Sequence, residues 1–486
     1  MKSIVKYNVC LSILIFSLLG CSSNSEGTDD MEMQNDEPVQ FDLSVLANPT
    51  EGGTVSPSNG TYDEGTSVNI QATPSEGYTF QEWTGNAQSD INPLTIVMDA
   101  NKTINAVFQE SIETCDLGTF DGDVNLETQE EINEFGNLCY TGISGNLSIS
   151  GLNSSSITDL SALSNLKEVG GEIAIVFHSN LNNFSGLENV DSASGLRISN
   201  VSNIENLDVF NNLIQGVIDS NKVDFSIAIG ACPELTSVTV FSGITQLKNL
   251  RLGSLNKLET LDGFQFLEHV SDTMILGNFP LMSEYNNLEN LRTVGIQLTL
   301  SFTTSFLSLE GLGNLESVGE SFFIQENTGL ESLQGLNSNL TVERLWIEKN
   351  PALNSLAGLN INGSVNLRLD DNDALINLNG ANFSNSNNMI FVLQFCDGIV
   401  DLSGMESISS METVFIRDNT SLVSLSGLEN LNELTTLVNI IQNESLQSFC
   451  ALDDLINNGN LMGNWDVFDN LFNPTLQDME SGNCEL

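Results

Sequence analysis

Along most of this chain the apolar positions follow one rhythm: a short stretch with every second residue apolar, then leucines three apart, then the same again. The leucine stretch is clearest in Leu330-Glu331-Ser332-Leu333-Gln334-Gly335-Leu336. It returns as Leu353-Asn354-Ser355-Leu356-Ala357-Gly358-Leu359 and as Leu422-Val423-Ser424-Leu425-Ser426-Gly427-Leu428. Its glycine position falls at residues 162, 186, 209, 240, 263, 287, 311, 335, 358, 380, 404, 427 and 451, and every step but one is 22 to 24 residues. The exception, 31 residues between positions 209 and 240, predicts an insertion near Gln215 to Lys222. A unit this short cannot bury its apolar face alone, so the units must stack into a solenoid.

The alternating stretch predicts one short strand per unit. Leu345-Trp346-Ile347 leads after two residues to Asn350, Leu367-Arg368-Leu369 to Asn372, and Val414-Phe415-Ile416 to Asn419. The same slot is assigned to Asn278, Asn327 and Asn443, to Cys232 and Cys396, and to His178. The middle residue of each triplet faces outward, and from one end of the array to the other these read Ala174, Arg197, Ala228, Arg251, Met274, Thr299, Phe323, Trp346, Arg368, Val392, Phe415 and Asn439. Strands about 4.8 Å apart would align Phe323, Trp346, Arg368, Val392 and Phe415 as one stripe, the candidate ligand-binding face. Gln325, Glu348, Asp370 and Arg417 would form its polar rim.

An Asn-or-Cys slot after an alternating strand resembles the leucine-rich repeat, which implies that the slot's side chains turn inward as a ladder and satisfy backbone groups at each coil's corner. The pattern departs from the usual one, because leucine follows the asparagine by three residues. Glycine and β-branched residues, as in Val169-Gly170-Gly171 and Val318-Gly319, also stand where a convex helix would begin. That variant, over residues 111–486, resembles the receptor L-domain type of solenoid, and the resemblance implies ligand or cell-surface binding. The expected fold is all-β: a small β module, then a right-handed leucine-rich β-solenoid of parallel strands with little helix.

Residues 41–110 carry the β module. Strand-like alternation in Phe41-Asp42-Leu43-Ser44-Val45, Ser67-Val68-Asn69-Ile70 and Thr103-Ile104-Asn105-Ala106-Val107-Phe108 is separated by glycine-containing turns. Gly52-Gly53-Thr54-Val55, Tyr62-Asp63-Glu64-Gly65, Ala72-Thr73-Pro74 and Gly77-Tyr78-Thr79-Phe80 with Trp83 together resemble the divergent internalin-type B repeat. This resemblance implies a small β spacer domain of bacterial surface proteins. A segment of this size needs its aromatics for a core, so Trp83, Tyr78 and Phe80 are read as core rather than as a sugar platform.

Residues 1–20 open with Lys2 and Lys6 and continue with an apolar run from Val9 to Leu19, too short to span a bilayer, so they read as a signal peptide. Leu18-Leu19-Gly20-Cys21 resembles the bacterial lipobox, which implies that Cys21 is lipidated and begins the mature chain. Residues 21–40 read as a flexible tether, with six carboxylates and no basic residue after Cys21. This stretch resembles the acidic segment behind the lipid cysteine of surface-exported Bacteroidetes lipoproteins. The expected location is therefore the outer membrane, lipid-anchored and facing outward.

The whole chain has 486 residues with 14 basic against 64 acidic. Removing Lys2 and Lys6 leaves 12 against 64, a mature charge near −52, which repels nucleic-acid phosphates and anionic lipids. The expected partner is a neutral or cationic protein or glycan, the only membrane contact is the lipid anchor, and the chain is expected to be a monomer. Six cysteines remain beyond Cys10 and Cys21. Cys115 and Cys139 flank a predicted short helix at Thr128-Gln129-Glu130-Glu131-Ile132, and Cys450 and Cys484 flank the non-repeating tail. One disulfide is therefore expected at each end, with Cys232 and Cys396 free in the ladder.

Catalytic and metal-binding patterns are sparse. His178 and His269 are the only histidines and share no ligand spacing, and neither a Gly-x-Ser-x-Gly elbow nor a P-loop occurs. Asp121-Gly122-Asp123-Val124-Asn125 starts like a calcium loop but lacks the later glycine and glutamate, having Leu126 and Ile132 instead. Asp370, Asp371 and Asp373 are a looser cation candidate. No cofactor and no metal are expected. The reading is a binding or adhesion protein and no enzyme, its rivals a structural spacer and a polysaccharide-degrading enzyme on a β-helix.

Overall fold

The computed structural model describes residues 37–110, 116–151 and 157–486. The chain divides into two compact units, one up to Thr114 and one from Cys115 onward.

The described part of the first unit is built of strands, with one 3₁₀ turn at Thr50–Gly52. Asn59–Asp63, Gln40–Asn48, Lys102–Glu110 and Tyr78–Gly85 form a four-stranded sheet in that spatial order, parallel only between Gln40–Asn48 and Lys102–Glu110. Gly53–Ser56, Ser67–Pro74 and Leu94–Val97 form a second, three-stranded sheet. Alternate residues from the sheets, among them Leu43, Val45, Ile70, Ile96, Ile104 and Phe108, make the core. Trp83 is fully buried within it and donates from Nε1 to the Ile91 carbonyl at 3.0 Å, while Tyr78 and Phe80 pack against its edge. Gly52 and Gly53 are required by packing: a Cβ at either would stand 2.6 Å from Phe108.

The second unit is a parallel β-solenoid of about 14 turns around one continuous core. Its principal sheet runs in chain order from Val124–Leu126 to Asn464–Phe468, each strand pairing in register with the strand one coil on. Among the described residues no register joins the last strand to the first, so the stack is open-ended. A second set of very short parallel strands precedes the principal ones: Thr119–Phe120, Gly142–Ile143 and Glu168–Val169 early, then Gln246–Leu247, His269–Val270 and Thr293–Val294. Ser317–Gln325 and Thr341–Glu348 are long enough to serve both, with an irregularity after Val318 where the chain turns the corner.

That corner explains the glycines read as helix breakers. A Cβ on Gly170 would lie 2.3 Å from the Ser144 carbonyl oxygen; on Gly295 and Gly319 it would meet the oxygens of Ser271 and Gly295 at 1.8 Å. Successive backbones simply approach too closely for a side chain. The leucine stretches fill the opposite side with turns and an occasional 3₁₀ turn, such as Ser161–Leu163 and Thr239–Phe241, and bury Leu330, Leu333, Leu353, Leu356, Leu422 and Leu425. Burying one leucine contributes roughly 1.5–3 kcal/mol, and each coil supplies several.

Among the described residues α-helix is confined to the solenoid's ends and the insertion. The 31-residue step holds Asn211–Asp219, which buries Leu213, Ile214 and Val217. Gln129–Asn137 lies under the first coils with Ile132 and Phe135 inward; Thr128 caps it, and Glu131 returns the bond to the Thr128 backbone as a capping box. At the other end Asp453–Asn457 and Leu476–Glu480 follow the last repeat, with Met479 buried and a second capping box between Thr475 and Asp478. Cys450 and Cys484 are joined, their Cα atoms 4.8 Å apart. Cys139 is disulfide-bonded; Cys115, its expected partner, lies outside the described residues, as do Cys21, the signal segment and most of the tether. Cys232 and Cys396 are free and buried.

The ladder occupies the slot three residues beyond each inward strand residue, just after a residue with positive φ. Lys349 at 54°, Asp371 at 55° and Asp418 at 55° are such corner residues. Asn327, Asn350, Asn372, Cys396, Asn419 and Asn443 fill the slot as expected, and all are buried. Each asparagine Oδ1 accepts from the slot N–H one coil back: Asn350 from Asn327 at 3.0 Å, Asn372 from Asn350 at 3.1 Å, Asn443 from Asn419 at 3.0 Å. Its Nδ2 donates to a carbonyl of the preceding coil, as Asn350 does to Ile324 at 3.0 Å. Asn470, which the sequence reading did not include, extends the column, and Asn473 closes it by accepting from the Asn470 N–H at 2.8 Å.

Asn278 is a correction. It is exposed with φ 59°, so it is the corner residue, and the buried slot of that coil belongs to Phe279. Val201 and Leu255 fill the neighbouring slots and Thr303 begins the polar run, so the ladder is apolar in much of its first half and amide in its second.

Candidate functional site

The principal sheet's outward column carries the stripe. Register pairs Ala174, Arg197, Ala228, Arg251, Ile275, Thr299, Phe323, Trp346, Arg368, Val392, Phe415 and Asn439 across successive strands. Met274 is not among them. It is fully buried opposite Leu250, and Ile275 takes the outward position.

Phe323, Trp346, Arg368, Val392 and Phe415 therefore stand side by side on adjacent strands, each half-buried. Phe323 meets Trp346 edge to face with ring centroids 5.2 Å apart. The Arg368 guanidinium lies 5.3 Å from the Trp346 ring centroid, a cation–π contact. The same guanidinium pairs with Glu348 at 3.1 Å and Asp370 at 2.5 Å, and Gln394 Nε2 adds a bond to Asp370 at 3.0 Å. Burial pushes the Glu348 carboxyl above its usual range, and Arg368 opposes the shift. Among the described residues the Trp346 indole N–H is out of solvent and meets no acceptor, so no hydrogen bond orients that ring. The rim column Gln325, Glu348, Asp370, Gln394 and Arg417 runs alongside in register, with Arg417 turned to Asp418 at 2.6 Å.

The other candidates resolve differently. Asp370 is engaged by Arg368, and Asp373 accepts from the Asp397 N–H at 3.1 Å, so the three aspartates do not converge. Burial and the neighbouring Asp373 and Asp370 raise the Asp371 carboxyl. In the 121–125 loop Asp123 accepts from the Asn146 backbone at 2.7 Å, joining one coil to the next. Among the described residues one group, Cys450, Asp453 and Cys484, lies close enough to share a metal ion, and its sulfurs are in a disulfide. His178 sits in the ladder, its Nε2 3.1 Å from the Ile149 carbonyl, and burial lowers its pKa. His269 lies on the second sheet with Nδ1 2.9 Å from Thr293 Oγ1.

Residues 43–112 match the family described as the divergent InlB B-repeat domain. The match covers the first unit and not the solenoid. A crystal structure of an internalin (inlF) from Listeria monocytogenes is similar at a TM-score of 0.32 and 17% identity, over 72% of this chain and 90% of that one. No curated protein matches the chain. Among the described residues no helix is long and apolar enough to cross a membrane.

Proposed function

We propose that this protein is an exported, lipid-anchored surface protein that binds a protein or glycan ligand with the principal face of its solenoid and catalyses no reaction. Cys21 carries the lipid, and the acidic tether and B-repeat module hold the solenoid away from an outer membrane of the Bacteroidetes type. The similarity of residues 43–112 to a repeat domain named for a surface protein supports this, as does the lipobox-like Leu18-Leu19-Gly20-Cys21. The receptor L-domain resemblance of the coils agrees with it.

The observation that carries the reading is the in-register column of Phe323, Trp346, Arg368, Val392 and Phe415. Aromatic and arginine side chains held rigid before binding contribute most to contacts, because little entropy is lost when the partner arrives. A second reading takes the same column as a purely structural stack, and the Phe323–Trp346–Arg368 contacts favour it. Replacing Phe323, Trp346 and Phe415 together with serine separates the two. Lost attachment to the native surface with an unchanged melting curve supports binding; full attachment, or a collapse of stability, supports the stack.

A further inference from the structure

Four coils before the aromatic column, the same face changes character. Arg197, Ala228 and Arg251 are consecutive outward residues, so the two arginines flank an alanine about 10 Å apart, two strand spacings. Between them lies a trough of about 260 Å³ lined by Arg197, Ser199, Ala228, Gly230, Arg251 and Gly253.

The trough exists because two side chains are missing, one of them where the fold would accept it. In later coils the column beyond the outward residue carries Gln325, Glu348, Asp370, Gln394 and Arg417. Here it carries Gly230 and Gly253. A Cβ at Gly230 would meet nothing nearer than the Gly253 oxygen at 3.5 Å, and one at Gly253 nothing nearer than the Gly277 oxygen at 3.3 Å. Neither glycine has a positive φ. Packing does not demand glycine at Gly230, in contrast to the corner glycines.

Charge at this place also runs against the rest of the molecule. The flanking columns over these strands hold Glu172, Gly195, Ser226, Asn249 and Thr273 on one side and Ser199, Gly230, Gly253 and Gly277 on the other, so they include one carboxylate. Arg197 answers that carboxylate, with Glu172 at 2.8 Å. Arg251 is exposed and has no ion pair among the described residues. Within these columns two guanidiniums stand against one carboxylate, and Glu172 engages only Arg197.

We propose that Arg197 and Arg251 bracket a binding site for one carboxylate group carried on a compact, otherwise uncharged molecule. The free Arg251 fork matches a carboxylate through two parallel N–H···O bonds, and Arg197 supplies a second donor group from the opposite wall. Ala228 and the two glycines leave room for the body of the ligand. With Arg197 already paired to Glu172, one free guanidinium suits a monoanion better than a phosphate dianion. The site lies on the face proposed to bind a ligand but uses none of the same residues.

The full chain is titrated with D-glucuronate, D-glucose and N-acetylglycine and followed by calorimetry or NMR. The expected result is saturable binding of glucuronate and none of glucose, with N-acetylglycine separating a sugar acid from a peptide carboxylate as the source. Arg251→Gln and Gly230→Val should each weaken binding tenfold or more without changing the melting curve, and Arg251→Lys should fall between. The Phe323, Trp346 and Phe415 serine triple should bind as well as the parent, which keeps this site apart from the aromatic column. The proposal is overturned if glucose binds as well as glucuronate, if Arg251→Gln leaves carboxylate affinity unchanged, or if the folded protein saturates with neither carboxylate.

Discussion

Replacing Asn350 with alanine removes five hydrogen bonds at a fully buried point of the ladder. Its Oδ1 accepts from the Asn327 N–H at 3.0 Å and from Asn327 Nδ2 at 3.1 Å; its Nδ2 donates to Ile324 O at 3.0 Å, Glu348 O at 3.0 Å and Asn372 Oδ1 at 3.2 Å. Most of the partners keep another bond. Asn327 Nδ2 still reaches the Leu300 carbonyl, Glu348 O still accepts from the Glu326 N–H, and Asn372 Oδ1 still accepts from the Asn350 N–H. The Asn327 backbone N–H loses its acceptor outright. A buried donor left unmade costs about 1–3 kcal/mol, and this sets the expected destabilisation. Asn350→Cys should cost less, because Cys232 and Cys396 already occupy the same slot and sulfur can accept weakly. Denaturant unfolding gives the total, and amide hydrogen exchange localises it: the Asn327 N–H should lose protection while the Asn443 N–H, several coils away, keeps it. An unchanged unfolding curve with an unchanged Asn327 exchange rate would refute the ladder argument, leaving the asparagines as turn formers.

Five shorter predictions concern the cysteines, His178 and the packing of the coils. Non-reducing peptide mapping should find Cys450 joined to Cys484 and Cys139 to Cys115, and a Cys232–Cys396 bridge would contradict the ladder. Iodoacetamide at pH 8 should leave Cys232 and Cys396 unlabelled until the chain unfolds, since burial raises both thiols and pushes Cys396 up to about 12. Burial lowers the His178 pKa, so the unfolded chain binds the proton more readily; stability present above the ordinary value of 6.5 should fall as pH drops below it, and His178→Asn should flatten that slope in pH-dependent melts. Gly319→Ala should destabilise the solenoid by about 1–3 kcal/mol in denaturant melts, the cost of overpacking, because its Cβ would overlap the Gly295 oxygen. Metabolic acyl labelling should be lost in Cys21→Ser, and persistence of the label would remove the lipid anchor from the proposal.

Period and slot were legible wherever the strand alternates cleanly. Leu345-Trp346-Ile347 and Val414-Phe415-Ile416 each place one residue outward, two inward and an asparagine three positions on, and the structure has them so. The reading slipped where alternation is missing. In Thr273-Met274-Ile275-Leu276-Gly277-Asn278-Phe279, three apolar residues in a row hide the phase, and an asparagine one place early draws the slot toward itself. Asn278 is there because asparagine tolerates a left-handed backbone, and Phe279 fills the slot by packing. Val201 and Leu255 gave no polar signal for the same reason. Asn470 stands 27 residues after Asn443, beyond the usual step, so the period did not point to it. The trough at Arg197 and Arg251 needed coordinates, because only packing distances separate a glycine that the fold requires from one that leaves space.

The ladder also bears on how this protein can change its reach. Every rung touches only the coil before it and the coil after, so deleting one whole turn between two asparagine rungs would bring Asn372 Oδ1 to the Asn327 N–H in place of Asn350, with the same geometry. Duplicating a turn would do the reverse. The two capped ends and the separate front module take no part in such a change. Gaining or losing DNA in units of one coil therefore lengthens or shortens the principal sheet by about 4.8 Å at a time without redesigning any junction. The length of the sheet is thus an inheritable count of coils, while the chemistry of each rung stays the same.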